Sequence, residues 1–329
     1  MEKKSVLKKI TSSREASLVI IMILLCAFVQ FRSPTFLTVQ SITEMLKNNA
    51  VTMIMSLGML GVMLVGGIDI SIMSTVALSG MTIGMLLKYD HVHSTLLCFL
   101  IAMGIGIVCG FLVGLVISRA GVPPIIATMG FMYIYRALAY LLGNGEWAGA
   151  DALGDYKNFA LGSILGLNNV IWVTIICYIV FFVVMKWTRI GRRVYAVGSN
   201  PNAAEVSGIN VKNVKLLVHT VMGFLSGLGG ALAVSVYASA QPNMNYGKEM
   251  DVIAACVIGG VSMSGGRGTV IGALLGSLVL AIIAKALPII GADAIWQNTI
   301  KGVIILVVVV MNVLTQRAMD KNNLKGREM

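Results

Sequence analysis

The stretch TLLCFLIAMGIGIVCGFLVGLVIS, residues 95–118, runs for 24 positions without a charged side chain. A helix of that length reaches about 36 Å, enough to cross a hydrocarbon layer of ~30 Å. Gly106, Gly110 and Gly114 stand four apart within it. In lipid, packing drives helix association, and small residues at this spacing let two backbones approach closely. The pairs Gly223/Gly227 and Gly272/Gly276 repeat the spacing. Their expected use is in intramolecular seams; a dimer face is the second reading.

The rest of the chain follows the same pattern. Of 329 residues, 57% are hydrophobic before the 36 Gly are counted, and only 12% are charged, about half the ~25% of a soluble globular chain. Mean hydropathy is +0.88. A water-soluble domain cannot hide that much apolar surface, which excludes nucleic-acid readers, cytosolic enzymes and disordered scaffolds. The expected fold is all-α, a polytopic transmembrane bundle forming a single domain over 1–329.

Apolar runs predict about ten spans, at 16–31, 49–65, 71–87, 95–118, 123–142, 170–187, 216–239, 250–263, 269–290 and 295–314. The basic start followed by 16–31 mimics a secretory signal, but no small-x-small cleavage site follows, so it reads as a retained first span. Residues 38–47 are expected at the membrane interface, outside the second span. With both termini cytoplasmic, the inner segments hold seventeen Lys and Arg and the outer ones five, the asymmetry expected of cytoplasmic loops. The net charge of +11 is therefore assigned to topology and not to a nucleic-acid partner.

No catalytic set emerges. GxxxxGK[ST], HExxH and GxSxG are absent, as is any CxxC pair. The five cysteines lie inside apolar runs as packing residues, and no cofactor or metal is expected. His91, His93 and His219 are read as solvated or interfacial.

Charges at membrane depth are costly and mark candidate sites. Asp69 follows Gly66-Gly67 and has two readings, N-cap of the third span or solute contact. Tyr135, Arg136, Asp251, Lys285 and Gln297 complete a candidate translocation path, with Lys301 close by. These charges either pair structurally or line an outward-opening vestibule suited to a hydroxylated solute. Residues 65–71 also echo 257–264 in a Gly-Gly-apolar-x-apolar-Ser pattern. Interrupted spans in two halves point to a substrate path in transporters.

The strongest local signal is the inner loop 188–215. Asn200-Pro201 opens a short helix, Gly208 ends it, and Ala203, Ala204 and Val206 give it an apolar side. Such a helix either docks a soluble partner or lies on the membrane.

GRRVYAVGSNPNAAEVSGI at 191–209, GGIDIS at 66–71 and EMDVIAACVIGGVSMSGGRGTVIGALLG at 249–276 resemble the permease subunits of bacterial ATP-binding-cassette importers of the ribose type. That family includes permeases for ribose, xylose, galactose, rhamnose and autoinducer-2. The chain departs from many members after Ser71, where Ile72-Met73 replaces a Val-Gly pair. The resemblance implies a protein of the bacterial inner membrane that is not itself an enzyme, paired with a second permease chain. Two cytoplasmic ATPase subunits would hydrolyse ATP, and an extracytoplasmic solute-binding protein would deliver a monosaccharide or sugar-like solute. Arg192, Arg193, Asn200, Pro201, Ala203, Ala204, Glu205 and Gly208 would form the ATPase-coupling loop. Outer loop 143–168, with Glu146, Trp147, Asp151 and Asp155, would receive the binding protein. The competing reading is an autonomous ion- or proton-coupled carrier.

Overall fold

A computed structural model describes residues 14–289 and, beyond them, 291, 296, 298–300, 302, 303, 306, 307 and 310. Its helices, in chain order, are α1 (Arg14–Arg32), α2 (Val39–Leu64), α3 (Ile72–Lys88), α4 (Thr95–Ser118), α5 (Pro124–Gly143), α6 (Asn169–Trp187), α7 (Arg189–Ser199), α8 (Pro201–Val206), α9 (Val211–Tyr237), α10 (Lys248–Ile258) and α11 (Val270–Ile289). Between α5 and α6 lie a 3₁₀ turn, Gly154–Ala160, and a two-stranded hairpin pairing Ser163–Ile164 with Leu167–Asn168. The all-α expectation holds. Among the described residues five helices, α4, α5, α6, α9 and α11, are long and apolar enough to cross a membrane.

Boundaries follow local chemistry. Thr38 caps α2 by accepting from Ser41 N, and Asn168 caps α6 through Val170 N. Residues 39–47, expected at the interface, form the first turns of a continuous 26-residue α2 that runs directly into the second span. Glu44, Lys47, Asn48 and Asn49 had masked that continuity, while the helix itself, about 39 Å long, is free to emerge beyond the apolar layer. By contrast α10 has 11 residues, about 16 Å, shorter than the apolar layer, so it runs from the Lys248 side to the 259–268 turn only with its flanking turns. The expected span at 295–314 falls largely outside the described residues.

α2 is the central element. Every residue from 50 to 64 is buried, against α6, α9, α10 and α11. Tyr178 of α6 fixes it, donating to Met53 O at 2.9 Å and lying 2.8 Å from Ser56 Oγ. The glycine seams are intramolecular. Gly106 and Gly110 of α4 face Gly223 and Gly227 of α9, and Gly272 and Gly276 of α11 face Gly259 and Ala255.

Loop contacts define two ends. At one, Lys88 Nζ binds Glu146 Oε2, Ala148 pairs with Ala240, and Lys248 Nζ donates to the Tyr237 hydroxyl. The other gathers the 65–71 turn, the close of α7 and the 259–268 turn, with Arg119 bonded to Asn213. Arg119, Lys186–Lys215 and Arg267 therefore share an end, opposite Lys88, Lys157 and Lys248.

Candidate functional site

The inner-loop signal becomes a two-helix arm. Thr188 Oγ1 caps α7 by accepting from Ile190 N and Gly191 N. Gly191 permits the reversal out of α6, since a Cβ there would meet Met185 O at 2.2 Å. Gly191, Val194 and Val197 are buried on one side of α7, and Arg189, Arg192 and Arg193 are exposed on the other. Asn200 Oδ1 accepts from Ala203 N to start α8, with Pro201 at its first position. Gly208, at φ +80°, closes it as Ile209 N donates to Ala204 O. The apolar side expected of this helix is divided. Ala204 is buried in the protein, whereas Ala203, Glu205 and Val206 face outward, Val206 being 91% exposed.

The arm is fastened where the two echoing glycine turns meet. Gly266 N donates to Leu64 O at 2.9 Å. A Cβ on Gly198 would lie 1.8 Å from that same carbonyl and 2.7 Å from Gly266 N, and one on Gly265 would lie 3.1 Å from both Gly198 O and Gly66 N. Tyr195 secures the contact by donating to Gly268 O at 2.8 Å. Burial pushes its phenol above the ordinary range, so the donor persists. The close of α7 thus touches both interruptions at once.

Behind this junction lies a polar cluster that sequence reading missed. Asp69 does not cap α3, whose N-cap is Ser71. Its Oδ1 instead accepts from Ser71 N at 2.9 Å and Ser71 Oγ at 2.6 Å, while Oδ2 lies 3.4 Å from His219 Nδ1. His219 is 1% and Asp69 3% exposed, which corrects the expectation of a solvated or interfacial His219. Thr128 Oγ1 adds a bond from α5 to Ile68 O. The 66–71 turn is thus tied to α5, α9 and the α7 junction. Removing the acceptor leaves buried donors unpaired, at about 1–3 kcal/mol. Asp69→Ala is therefore expected to destabilise the detergent-solubilised protein by about 2 kcal/mol in an unfolding titration, and Asp69→Asn by less. Equal unfolding midpoints for Asp69→Ala and the parent would contradict this role.

Of the remaining path candidates Tyr135 lies within electrostatic reach of Asp69, and Arg136 and Lys285 stand apart from it. Tyr135 is buried and donates to Cys109 O at 2.8 Å. Arg136 Nη1 donates to Pro242 O at 2.7 Å and Met244 O at 3.2 Å, and its guanidinium lies 5.5 Å from the Tyr246 ring. It clamps the segment joining α9 to α10, beside buried Glu249 and two residues before Asp251. Lys285 is bonded separately to Ser41 O. Gln297 and Lys301 lie outside the described residues. Arg136, Asp251 and Lys285 share the end bearing Lys88, and Asp69 stands at the opposite one.

The 143–168 loop is folded onto the bundle at the Lys88 end. Tyr156 donates to Ala231 O at 2.8 Å and Leu153 is buried, leaving Trp147, Asp151 and Asp155 outward. The hydrogen bond from Lys88 holds the Glu146 carboxyl below its ordinary range. A depressed pKa in the fold contributes stability above the ordinary carboxylate range, lost as pH falls through the lowered value. The group is exposed, so this contribution is small. Among the described residues no cluster of His, Cys, Asp and Glu could hold a metal.

Known proteins share this chain along most of its length. Residues 41–309 match the family described as branched-chain amino acid transport system / permease component. The ribose import permease protein RbsC of Escherichia coli strain K12 is 32% identical over 304 residues, covering 91% of this chain and 93% of that protein. The galactose/methyl galactoside import permease protein MglC of the same strain is 34% identical over 332 residues, covering 95% and 97%. The autoinducer 2 import system permease protein LsrC of Salmonella typhi is 30% identical over 316 residues, covering 96% and 90%. No solved structure matches.

Proposed function

The chain belongs to the branched-chain amino acid transport system / permease component family, and we infer that it is the multi-pass inner-membrane permease of an ATP-binding-cassette importer for a monosaccharide or sugar-like solute. Relatives named as import permeases for ribose, galactosides and autoinducer 2 favour this reading over the autonomous carrier. The carrier reading also lacks support at Asp69, whose carboxylate is occupied by Ser71 and His219.

The junction beneath α7 is the observation that carries the proposed mechanism. In this reading the end holding Arg119, Lys186–Lys215 and Arg267 is cytoplasmic, in keeping with the excess of Lys and Arg in inner loops. We keep ten spans with cytoplasmic termini for this topology, α10 with its flanking turns serving as the short eighth span. An ATPase partner grips the outward side of α8, at Ala203, Glu205 and Val206. When that partner closes on ATP, α8 and α7 move together, because Asn200 and Ala204 join them into one arm. Through Gly198 and Tyr195 the arm displaces the 65–71 and 259–268 turns, and with them the ends of α2, α3, α10 and α11. Access to a path formed with a second permease chain then alternates between the two sides. At the opposite end the 143–168 loop receives the solute-binding protein, and Arg136 holds the α9–α10 segment over the entrance.

Ala203→Arg combined with Val206→Arg tests the coupling helix without touching buried Ala204. The double variant is expected to fold normally, to lose most of the ATPase that co-purifies with it, and to lose uptake. Unchanged ATPase recovery and uptake would remove the assignment. A chain that purifies alone and moves solute into ATP-free vesicles would restore the carrier. Arg136→Ala is expected to reduce uptake while ATPase binding persists, since it frees the α9–α10 segment at the far end; normal uptake would leave Arg136 a packing role.

A further inference from the structure

Between α7, the 208–210 turn and the first turns of α9 lies a cavity of about 230 Å³. Its chemistry is divided. Ile190, Val194 and Leu217 line an apolar side, and Arg193 and Asn213 bring polar groups to it. The Arg193 guanidinium is exposed and has no hydrogen-bond or ion-pair partner among the described residues. Arg119, at the close of α4, donates to Asn213 Oδ1 at 2.6 Å, which places a second guanidinium at the rim. Between residues 158 and 247 a single carboxylate, Glu205, stands against six Lys and Arg. An anion is the missing partner.

The surroundings select which anion. Trp187, one residue before the α7 cap, is 61% exposed, with the Lys186 ammonium 5.6 Å from its ring. An exposed Trp at the end of a spanning helix, beside a snorkelling Lys, marks the headgroup level of a bilayer. Ile190 and Leu217 are 44% and 39% exposed, so apolar surface continues from the cavity toward lipid. An acidic peptide would satisfy Arg193 and leave these side chains in water. A lipid uses both, its phosphate on the guanidinium groups and its first methylenes on Ile190 and Leu217. Basic pockets between helices at the membrane surface suit anionic headgroups.

We propose that this cavity binds the phosphate of an anionic phospholipid, held by Arg193 and by Arg119 with Asn213. The site lies on the arm that joins α8 to the glycine junction, and it is distinct from the solute path. Its occupant would brace α7 against α9.

Delipidated full-length protein in detergent, titrated with phosphatidylglycerol or phosphatidylcholine of matched chains and read by native mass spectrometry, tests it. Preferential retention of phosphatidylglycerol is expected. Arg193→Gln should weaken it about fivefold, and Arg193→Gln with Arg119→Gln about thirtyfold, taking each basic group near the surface as ~1 kcal/mol. Arg193→Lys should recover most of the single loss, which separates charge from misfolding. Arg192→Gln, outside the cavity, should leave phosphatidylglycerol retention by the isolated permease unchanged. Equal retention of both lipids, undiminished retention by the double variant, or an equal loss in Arg192→Gln would each overturn the site. So would full displacement of phosphatidylglycerol by millimolar inorganic phosphate, or by one equivalent of the ATPase subunit.

Discussion

Gly106→Val is expected to abolish the folded protein, whereas Gly104→Val, two residues along the same helix, should leave it intact. A side chain at Gly106 would place its Cβ 2.2 Å from Gly223 O and 2.7 Å from Gly227 N. Both obstacles are backbone, so no rotamer change relieves them. The contact is reciprocal, because a Cβ on Gly223 would lie 2.2 Å from Gly106 O, and one on Gly227 would lie 2.2 Å from Ala102 O. Relief requires α4 and α9 to separate, and α9 packs against α2, α3 and α4 alike. Overpacking that side chains can absorb costs about 1–3 kcal/mol, and a backbone clash exceeds that range. Total stabilities are only about 5–15 kcal/mol, so most of the folded population is lost. Nothing lies within 4 Å of a Cβ at Gly104. Fluorescence-detected size-exclusion chromatography of the two variants decides the matter, and equal monodisperse peaks would refute the seam.

The second large effect falls on transport instead of folding. Gly198→Val should leave the ATPase bound, because the outward side of α8 is untouched, yet uptake should collapse. Its Cβ would stand 1.8 Å from Leu64 O, displacing the carbonyl that accepts from Gly266 N. Either α7 lifts away or the 65–71 turn shifts, and in both cases the arm no longer reports to the helix ends. Coupling free energies of about 1–3 kcal/mol correspond to roughly 5–150-fold effects, and uptake at fixed ATPase occupancy should fall within that range. Loss of ATPase along with uptake would place the fault in docking, while normal uptake would dissolve the proposed linkage. Read together with the Ala203→Arg/Val206→Arg variant, it separates gripping the arm from transmitting its motion.

Several of these features were legible in the residues. The limits of α4 match the apolar run because polar or charged residues flank it on both sides. The start of α9 was not legible, since Val211 to Lys215 set two valines among Lys212, Asn213 and Lys215, and the Asn210 cap lies outside the apolar run. The GxxxG spacing announced close approach without naming partners, because any small-residue face fits any other. The two Gly-Gly turns could be paired by likeness, but their physical meeting depends on helix lengths summed over nearly two hundred intervening residues. His219 looked solvated because one histidine near a span start carries no periodic signal, and its partner Asp69 is 150 positions away. In α8 a six-residue helix is too short for periodicity to assign its buried face, so Ala203 and Ala204 were indistinguishable.

The enclosure of α2 bears on how the chain is made. From 50 to 64 it has no surface left for lipid, yet it is synthesised before α6, α9, α10 and α11, which enclose it. While the ribosome is still working, Thr52 and Ser56 must be accommodated by early neighbours, by lipid or by the insertion machinery. Only once residue 237 has emerged can α9 close over this helix, so membrane insertion and final packing are separate events. A message truncated between α2 and α9 would strand a half-polar helix in the bilayer, a natural target for membrane proteolysis.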